Sequence, residues 1–455
     1  MSSGHGGGGG AAMSGWKDAI ARLDAVSQAH ATSPVPAGEQ VAGYRISLVG
    51  VAIAFTLSSL YIGATLVESL GLAGSIWAVI WGSVILAVMS VPAAMVGSRT
   101  RLSTYMVVMH VFGRAGARSV NFVLAVVLLG WYAVTDELFG RTCYLTVGQY
   151  LPGAALPQWV YTVACSIVVI ATTIYGFKAI ERLSLWVAPL LVVLTTFVAW
   201  RSLHVMSWAH MMALPGTHMD LSRGISAVIG GMIVNVVLMP DITRYARTTF
   251  DCVMISVTGN AIGGGLALFL AMLPALAFAE LDPMRYMFAL HLAGIAFTTL
   301  VVSTWSINVV NLYSTGLVTS TSLPHVSYGR IVIGCGVIGT LLAVLGIANR
   351  LIDFLVFLGL IVPPIAAVYI VDFFLLRRTD YTAPIDHPGL RRANVSGVCA
   401  CAAGASLGIL MYLRHDSLTG VPTIESFVIA SLLYVVLEKA RGALGRDRAW
   451  RRQVA

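Results

Sequence analysis

Four ionisable side chains lie inside apolar runs that are long enough to cross a bilayer: Glu68, Asp136, Glu137 and Arg141. Ionisable groups are costly at such depth and are therefore functional candidates by default. Glu137 and Arg141 stand four residues apart, so on a helix they are predicted to form a structural or gating ion pair. We hypothesise that one of the acids binds a proton or selects a cationic ligand.

The stretch MPDITRYAR (239–247) brings a proline and several charges to the end of the apolar run ISAVIGGMIVNVVL. Arg244 and Arg247 fit the pattern of a membrane anchor, but an anchor does not explain Pro240 and Asp241 before them. Asp241 is predicted to cap the next helical turn and to pair with Arg244. This pair is expected to have a gating or structural role.

The run STWSINVVNLYSTGL (303–317) carries two polar stripes when it is wound as a helix at about 100° per residue. Two stripes on one helix suit two ligands. Hydroxyl oxygens attract a hard cation, whereas an amide donates and accepts hydrogen bonds at once. The amides suit hydrogen bonds between helices equally well. The first stripe consists of Ser303, Ser306, Ile307, Val310 and Ser314, and the second of Thr304, Asn308, Asn311 and Thr315.

The composition places these residues in a membrane protein. The chain has 455 residues, of which 58% are hydrophobic and 11% are charged, and its mean hydropathy is +0.84. A soluble protein carries about a quarter charged residues. Windows of about 20 apolar residues recur along the chain, and each can cross a hydrocarbon core about 30 Å thick. The sequence therefore predicts an all-α integral membrane protein.

Twelve spans are predicted from these windows. Lys and Arg concentrate on the side of the amino terminus, which predicts that both termini are cytoplasmic and that the protein lies in the inner (plasma) membrane. The formal charge of +8 thus reflects topology, and nucleic acid is not an expected partner. The spans lie near 45–70, 74–97, 119–148, 158–177, 182–202, 222–243, 253–279, 286–317, 329–348, 351–376, 395–413 and 421–440.

Two of the spans show signs of interruption. Span one clusters small and polar residues in TLSSLYIGAT (56–65), and span six has Asn235 followed by Pro240 and Asp241. Lipid cannot satisfy freed backbone groups, so such breaks survive where they line a cavity or other protein. Helices one and six are therefore expected to lose regular winding about halfway through the bilayer, facing each other. Their exposed main-chain dipoles would then be available to a ligand.

The positions of the two breaks predict an internal repeat. Spans one and six are five apart, and because five is odd the second five-helix repeat would be inverted in the membrane. The expected segments are a largely disordered cytoplasmic tail (1–43), a first repeat (44–203) and an extracellular or periplasmic connector (204–221). They are followed by the second repeat (222–378), a cytoplasmic loop with helices 11 and 12 (379–440), and a basic cytoplasmic tail (441–455).

Four stretches in chain order resemble the nucleobase:cation symporter-1 family, and within it the bacterial cytosine permeases. They are LLGWYAV in span three, PDITRYAR at the exit of span six, STWSINVVNLYSTGL in span eight and LVFLGLIVPPIAAVYIVDFFLLRR in span ten. The resemblance covers nearly all of residues 35–440. It implies a leucine-transporter-type fold with two inverted five-helix repeats, discontinuous helices 1 and 6, and two C-terminal helices. It also implies uptake of a purine, a pyrimidine such as cytosine or a related ring by alternating access, coupled to sodium or protons.

The resemblance further implies a substrate site between helices one, three, six and eight. Trp131 matches the family's stacking tryptophan, and an indole face suits a flat heterocycle. Thr135 stands near the place where family members often carry a glutamine. Gly231 is followed by Met232 where an aromatic is usual, and Ile307 replaces a hydroxyl residue in the sodium stripe. The expected substrate contacts are Trp131, Thr135, Gly231, Met232, Asn235, Asn308 and Asn311, and the expected ion ligands are Ser58, Ser303 and Ser306.

Several other functions compete with this interpretation. The same fold is also suited to a hydantoin, a thiamine-precursor pyrimidine or an amino acid, and the departure from the family pattern at Met232 leaves the identity of the substrate open. An integral membrane enzyme would need clustered nucleophiles, bases or metal ligands, and the sequence has neither an HExxH motif nor a Walker loop. A channel would not accumulate its substrate. No cofactor is expected beyond sodium or a proton as coupling ion, and a monomer is expected to suffice for transport.

Overall fold

The structure is a computed structural model in which the described residues form helices joined by short connections, without a strand element among them. It describes residues 34–36, 38, 40, 42–175, 177–217, 219–323, 325–376, 381 and 392–454. Most of the predicted N-terminal tail and most of the loop before span eleven lie outside these residues.

The helices follow one another in chain order with few long connections. The first half contains α1 (Gly43–Ala54), α2 (Leu57–Thr100), α3 (Thr104–Tyr150), α4 (Gln158–Tyr175), α5 (Phe177–Val205) and α6 (Trp208–Ala213). The second half contains α7 (Leu221–Val237), α8 (Met239–Thr243), α9 (Thr249–Ile255), α10 (Gly264–Phe278), α11 (Pro283–Ala289), α12 (Ala293–Ser322), α13 (Tyr328–Val344), α14 (Leu351–Ile361), α15 (Pro363–Val371), α16 (Val395–Arg414) and α17 (Pro422–Val454). Two π-helical segments, Ser256–Gly263 and Asp372–Leu376, join α9 to α10 and extend α15.

The predicted interruption of span one is present in the structure. α1 ends at Ala54, and α2 begins at Leu57. Thr56 caps α2, because its hydroxyl accepts a hydrogen bond from the main-chain nitrogen of Ser59 at 3.2 Å. The Ser59 hydroxyl donates to the Ala54 carbonyl at 2.7 Å. Side chains of the predicted polar cluster thus satisfy main-chain groups that lipid cannot satisfy.

The interruption of span six lies between Asn235 and Pro240, as the sequence predicted, but deeper into the span than the halfway point that was expected. α7 stays regular through Asn235 to Val237, and a single turn at Leu238 precedes α8. Seventeen helical residues rise about 25 Å, so the turn lies near the end of the span and not halfway. The physical reason is that an asparagine side chain does not interrupt the main-chain hydrogen bonds. Pro240 lies in the first turn of α8, where its missing N–H costs nothing.

Among the described residues, six helical segments are long and apolar enough to cross a bilayer by length and composition, and four shorter apolar helices accompany them. One of the six is α2, which contains the second half of predicted span one and all of span two. Gly71 adopts φ 69° within it and turns the chain between the two. The number of spans and the exact repeat remain predictions.

The helices pack in two groups. One group is formed by α1, α2 and α7 to α10, and a second group is formed by α3, α4, α12 and α13. A separate apolar cluster around Tyr132 and Val309 lies inside the second group. We call them the bundle group and the scaffold group. The end of the molecule where α1 begins is called the inner end, and the end that carries α11 is called the outer end.

Candidate functional site

Trp131 of α3 packs against α14. Its ring is half-buried, packs against the main apolar core and meets Phe354 of α14 edge-on, with the ring centroids 5.6 Å apart. Gly130 makes this approach possible, because a Cβ atom there would lie 2.6 Å from the Phe354 ring. The indole therefore points into the protein and not toward the surrounding lipid.

One face of α7 and α8 is not covered by other helices along its whole length. Gly231, Asn235, Leu238 and Ile242 recur at helical spacing along this face and are half-buried or exposed. A Cβ atom at Gly231 would meet only the side chain of Ile62 in α2, at 3.6 Å. The face thus looks toward helix one, and it combines a small residue with an amide.

Met232 does not belong to that face. It is 7% exposed, and its side chain packs against Gly264 of α10. Its sulfur contacts the amide nitrogen of Asn235 at 3.8 Å. Of the residues expected to form this wall, the structure brings Gly231 and Asn235 to the surface and places Met232 behind them.

The two polar stripes of span eight have different surroundings. The stripe with Ser303 and Ile307 is partly accessible, although Ser306 is 3% exposed and its hydroxyl has no hydrogen-bond partner among the described residues. The stripe with Asn308 and Asn311 is buried in the packing of α12 against α3. Of the two stripes, only the first is partly exposed.

Thr135 and Asn308 meet at the contact between α3 and α12. The Thr135 hydroxyl donates to the Trp131 carbonyl at 2.7 Å and contacts the Asn308 amide. With its nitrogen toward Thr135, the amide oxygen accepts a hydrogen bond from the main-chain nitrogen of Asp136 at 3.2 Å. These polar groups are used between helices, which was the alternative that the sequence left open.

Ser58 lies in the first turn of α2, directly after the break in span one, and is 6% exposed. α2 and α12 contact each other, which brings the helices that carry Ser58, Ser303 and Ser306 together. The neighbouring main-chain carbonyl of Ala54 accepts the Ser59 hydroxyl. The expected ion ligands thus come from helices in contact, and their role remains a prediction.

A polar cluster joins helices near the outer end. Arg141 of α3 pairs with Asp282, with Nε and Oδ2 2.8 Å apart, and the hydroxyl of Tyr61 in α2 donates to the same carboxylate. The Arg141 guanidinium lies 5.5 Å from the centroid of the Tyr61 ring. Asp282 also caps α11 through the Met284 nitrogen. We call Tyr61, Arg141 and Asp282 the outer triad.

The outer triad corrects the predicted pairing of Glu137 with Arg141. The ion pair of Arg141 is with Asp282, and the Glu137 carboxylate accepts a hydrogen bond from the Ala348 nitrogen at 2.7 Å. Sequence reasoning missed Tyr61 and Asp282. The only local signal was the Asp-Pro dipeptide at 282–283, which is typical of a helix start.

The inner end carries a different set of contacts. Asp241 accepts a hydrogen bond from the Thr104 nitrogen at 2.9 Å and so caps α3. The expectation that it caps its own next turn is therefore wrong. Arg244 Nε donates to the main-chain carbonyl of Asp241 at 3.2 Å. The Thr243 hydroxyl donates to the Ala94 carbonyl at 2.9 Å, so α8 is tied to both α2 and α3.

Comparison with known proteins adds sequence and fold evidence. Residues 40–410 match the family described as permeases for cytosine/purines, uracil, thiamine and allantoin. A cytosine permease from Escherichia coli (strain K12) is 23% identical over 409 residues, which cover 89% of this chain and 93% of the relative.

Two solved structures of the transporter Mhp1 share the fold. An inward-facing conformation has a TM-score of 0.80 at 18% identity and covers 91% of this chain and 94% of that one. A closed conformation with bromovinylhydantoin bound, from the nucleobase-cation-symport-1 family, has a TM-score of 0.73 at 18% identity. It covers 90% of this chain and 94% of that one.

Proposed function

The chain belongs to the family of permeases for cytosine/purines, uracil, thiamine and allantoin, and on this premise we propose that it imports a nucleobase or a related planar heterocycle. Transport proceeds by alternating access and is driven by a sodium or proton gradient. The protein works as a multi-pass transporter of the inner membrane with both termini in the cytoplasm, and the distribution of Lys and Arg supports this orientation. A monomer is sufficient.

One observation carries this proposal: an inward-pointing indole and an exposed amide occur on two helices that belong to different packing groups. Trp131 lies on α3 of the scaffold group, and Asn235 lies beside Gly231 on α7 of the bundle group. An indole binds a flat ring by stacking, worth about 0.5–1.5 kcal/mol beyond its buried area. An amide donates and accepts at the ring edge. A guest between the groups would be released when they move apart.

The conformation fits a transporter that is open at its inner end. An ion pair and a hydrogen bond join the helices near the outer end, whereas the face of Gly231 and Asn235 is accessible, and both observations support this proposal. The better superposition on the inward-facing form of Mhp1 supports the same assignment. Substrate would leave along this face into the cytoplasm.

A hydantoin is the second candidate substrate. Mhp1, which shares the fold, binds bromovinylhydantoin. In this chain the Thr135 hydroxyl contacts Asn308 of another helix, and Met232 lies behind the wall. The site therefore offers a substrate fewer hydrogen bonds than a glutamine would supply and less ring surface than an aromatic would supply. A smaller ring with its own amide groups suits such a site.

A binding screen followed by uptake tests the proposal. Thermal shift of the purified protein is measured against nucleobases, hydantoins, vitamin precursors and amino acids, with and without sodium. Hits are followed by uptake into proteoliposomes under sodium and proton gradients. We expect a nucleobase or hydantoin to stabilise the protein and to accumulate above its external concentration. A response to amino acids alone, or flux without accumulation, contradicts the proposal.

The stacking role of Trp131 is tested in the same assay. Trp131→Ala removes the ring face, and we expect substrate affinity to fall by about tenfold or more, while Trp131→Phe keeps most of the affinity. Trp81→Ala is the matched control, because Trp81 is 50% exposed on the outside of α2. Equal affinities for Trp131→Ala and Trp81→Ala rule out this role.

A further inference from the structure

Asp136 is the most deeply buried acid in the described part of the chain without a partner for its carboxyl group. It is 0% exposed, and neither carboxyl oxygen has a hydrogen-bond partner among the described residues. Its carboxyl lies inside the scaffold group, and its helix packs against α4, α12 and α13. None of the contacts that hold the substrate wall or either end of the molecule uses this carboxyl.

Among the described residues, no ion pair or hydrogen bond joins a cation to the Asp136 carboxyl. Arg141, the nearest basic residue along α3, pairs with Asp282, and Glu137 accepts the Ala348 nitrogen. Asn308 of α12 is uncharged and meets the main-chain nitrogen of Asp136, not its carboxyl. The titratable groups that the surrounding helices contribute to this region are Tyr132 and Cys143 from α3, Cys165 from α4, and Tyr328 and Cys335 from α13.

A carboxylate ion in this position would be an uncompensated buried charge. Such a charge costs several kcal/mol, whereas a neutral carboxylic acid costs much less. In the packing seen here the group is therefore an acid that holds its proton. Water that reaches it when the helices of the scaffold and bundle groups move would let it ionise.

The main chain connects Asp136 to the substrate wall. The Thr135 hydroxyl donates to the Trp131 carbonyl, and Asn308 joins Thr135 to the Asp136 nitrogen. Thr135, whose hydroxyl binds the Trp131 carbonyl, is the residue next to Asp136, so a change in charge at Asp136 can alter this hydrogen bond. This gives protonation a short physical route to the stacking residue.

We propose that Asp136 is the proton-binding site through which this transporter couples substrate uptake to a proton gradient. The inference rests on the proposed function. The Asp136 carboxylate takes a proton when its surroundings communicate with the outside, and the neutral acid allows the scaffold group to pack. It returns the proton to the cytoplasmic side after the substrate leaves. The first polar stripe of span eight offers Ile307 where an oxygen would serve a cation, which is consistent with proton coupling.

The test compares Asp136→Asn with wild type in proteoliposomes that contain a pH-sensitive dye. Three quantities are measured: counterflow of the best ligand of the binding screen, substrate-driven proton influx, and uptake at about pH 5.5 and about pH 7.5 in sodium-free buffer. We expect Asp136→Asn to retain counterflow and to lose substrate-driven proton influx by more than about tenfold. Its uptake should no longer respond to pH.

The control and the contradicting results keep the two proposals separate. Asp353→Asn removes a carboxylate of the same kind that is 55% exposed and pairs with Arg223, and it should keep wild-type proton influx. If wild type shows no counterflow, the transport proposal fails. If wild type transports and Asp136→Asn keeps its proton influx and pH response, or if wild type needs sodium and moves no protons, the assignment of Asp136 is wrong.

Discussion

The outer and inner ends of the proposed substrate pathway are built from different chemistry. At the outer end, the triad of Tyr61, Arg141 and Asp282 joins α2, α3 and the cap of α11 through charge. Toward the inner end, α7 presents a face with Gly231 and Asn235 that remains accessible. From this difference we infer that the proposed closure depends on one ion pair and one hydrogen bond between separate elements. The open side is marked by a small residue and an amide on an otherwise apolar helix.

The largest effect should come from breaking the charged closure. Arg141→Gln leaves Asp282, which is 3% exposed, without its cation. Removing one partner of a buried pair costs about 3–5 kcal/mol, and because Arg141 is partly exposed we expect the low end, an uptake rate about 100-fold lower. The initial rate of uptake into proteoliposomes measures this.

The matched control for the outer triad lies at the same end of the molecule. Arg285 is 53% exposed and pairs with Glu280 at 3.3 Å, so Arg285→Gln should change uptake by less than about twofold. Similar losses in both variants would show that general charge at the outer end matters, and not the triad.

Two adjacent glycines of α7 allow a paired test of where the substrate site lies. A Cβ atom at Gly231 has room, whereas one at Gly230 would overlap the main-chain carbonyl of Leu355. Gly231→Leu should therefore fold normally and weaken substrate affinity about tenfold by filling the site. Gly230→Ala should lower the melting temperature instead, because α7 can no longer pack on α14. Affinity and melting temperature are measured for both variants, and the reverse pattern would contradict the placement of the site.

A smaller effect is expected from the hydroxyl of the outer triad. Tyr61→Phe removes one hydrogen bond to Asp282 but leaves the ion pair with Arg141 in place. A single hydrogen bond contributes about 1 kcal/mol, so uptake should fall roughly fivefold. The initial uptake rate at saturating substrate measures it. A loss as large as that of Arg141→Gln would mean that the tyrosine, and not the ion pair, holds the closure.

Features set by local chemistry were predictable from the sequence. The polar cluster in 56–65 predicted the break in span one, because serine and threonine side chains satisfy the freed main-chain groups within a few residues. The spacing of the polar residues in span eight predicted its two stripes. The functional role of Asp136 stays a prediction, made because a charge in an apolar run is rare.

Features that depend on distant partners were not predictable. Arg141 pairs with a residue that lies far along the chain, and sequence spacing pointed to the nearer Glu137. Asp241 caps α3 and not its own helix. The turn of span six lies within the predicted stretch, but its depth in the span differs, since an exposed polar side chain such as Asn235 does not interrupt its helix. In each case, packing between helices decides which residue is the partner or where the helix turns.

The central claim is that the face of Gly231 and Asn235 opens to the cytoplasm while the outer triad keeps the outside closed. The most direct measurement is labelling of Asn235→Cys, in a variant whose six native cysteines are replaced, with a membrane-impermeant maleimide applied to either side. Ile233→Cys, 0% exposed, is the unreactive control. We expect rapid labelling from the cytoplasmic side, slowed by bound substrate. Labelling only from the outside, or labelling that substrate does not affect, would contradict the account.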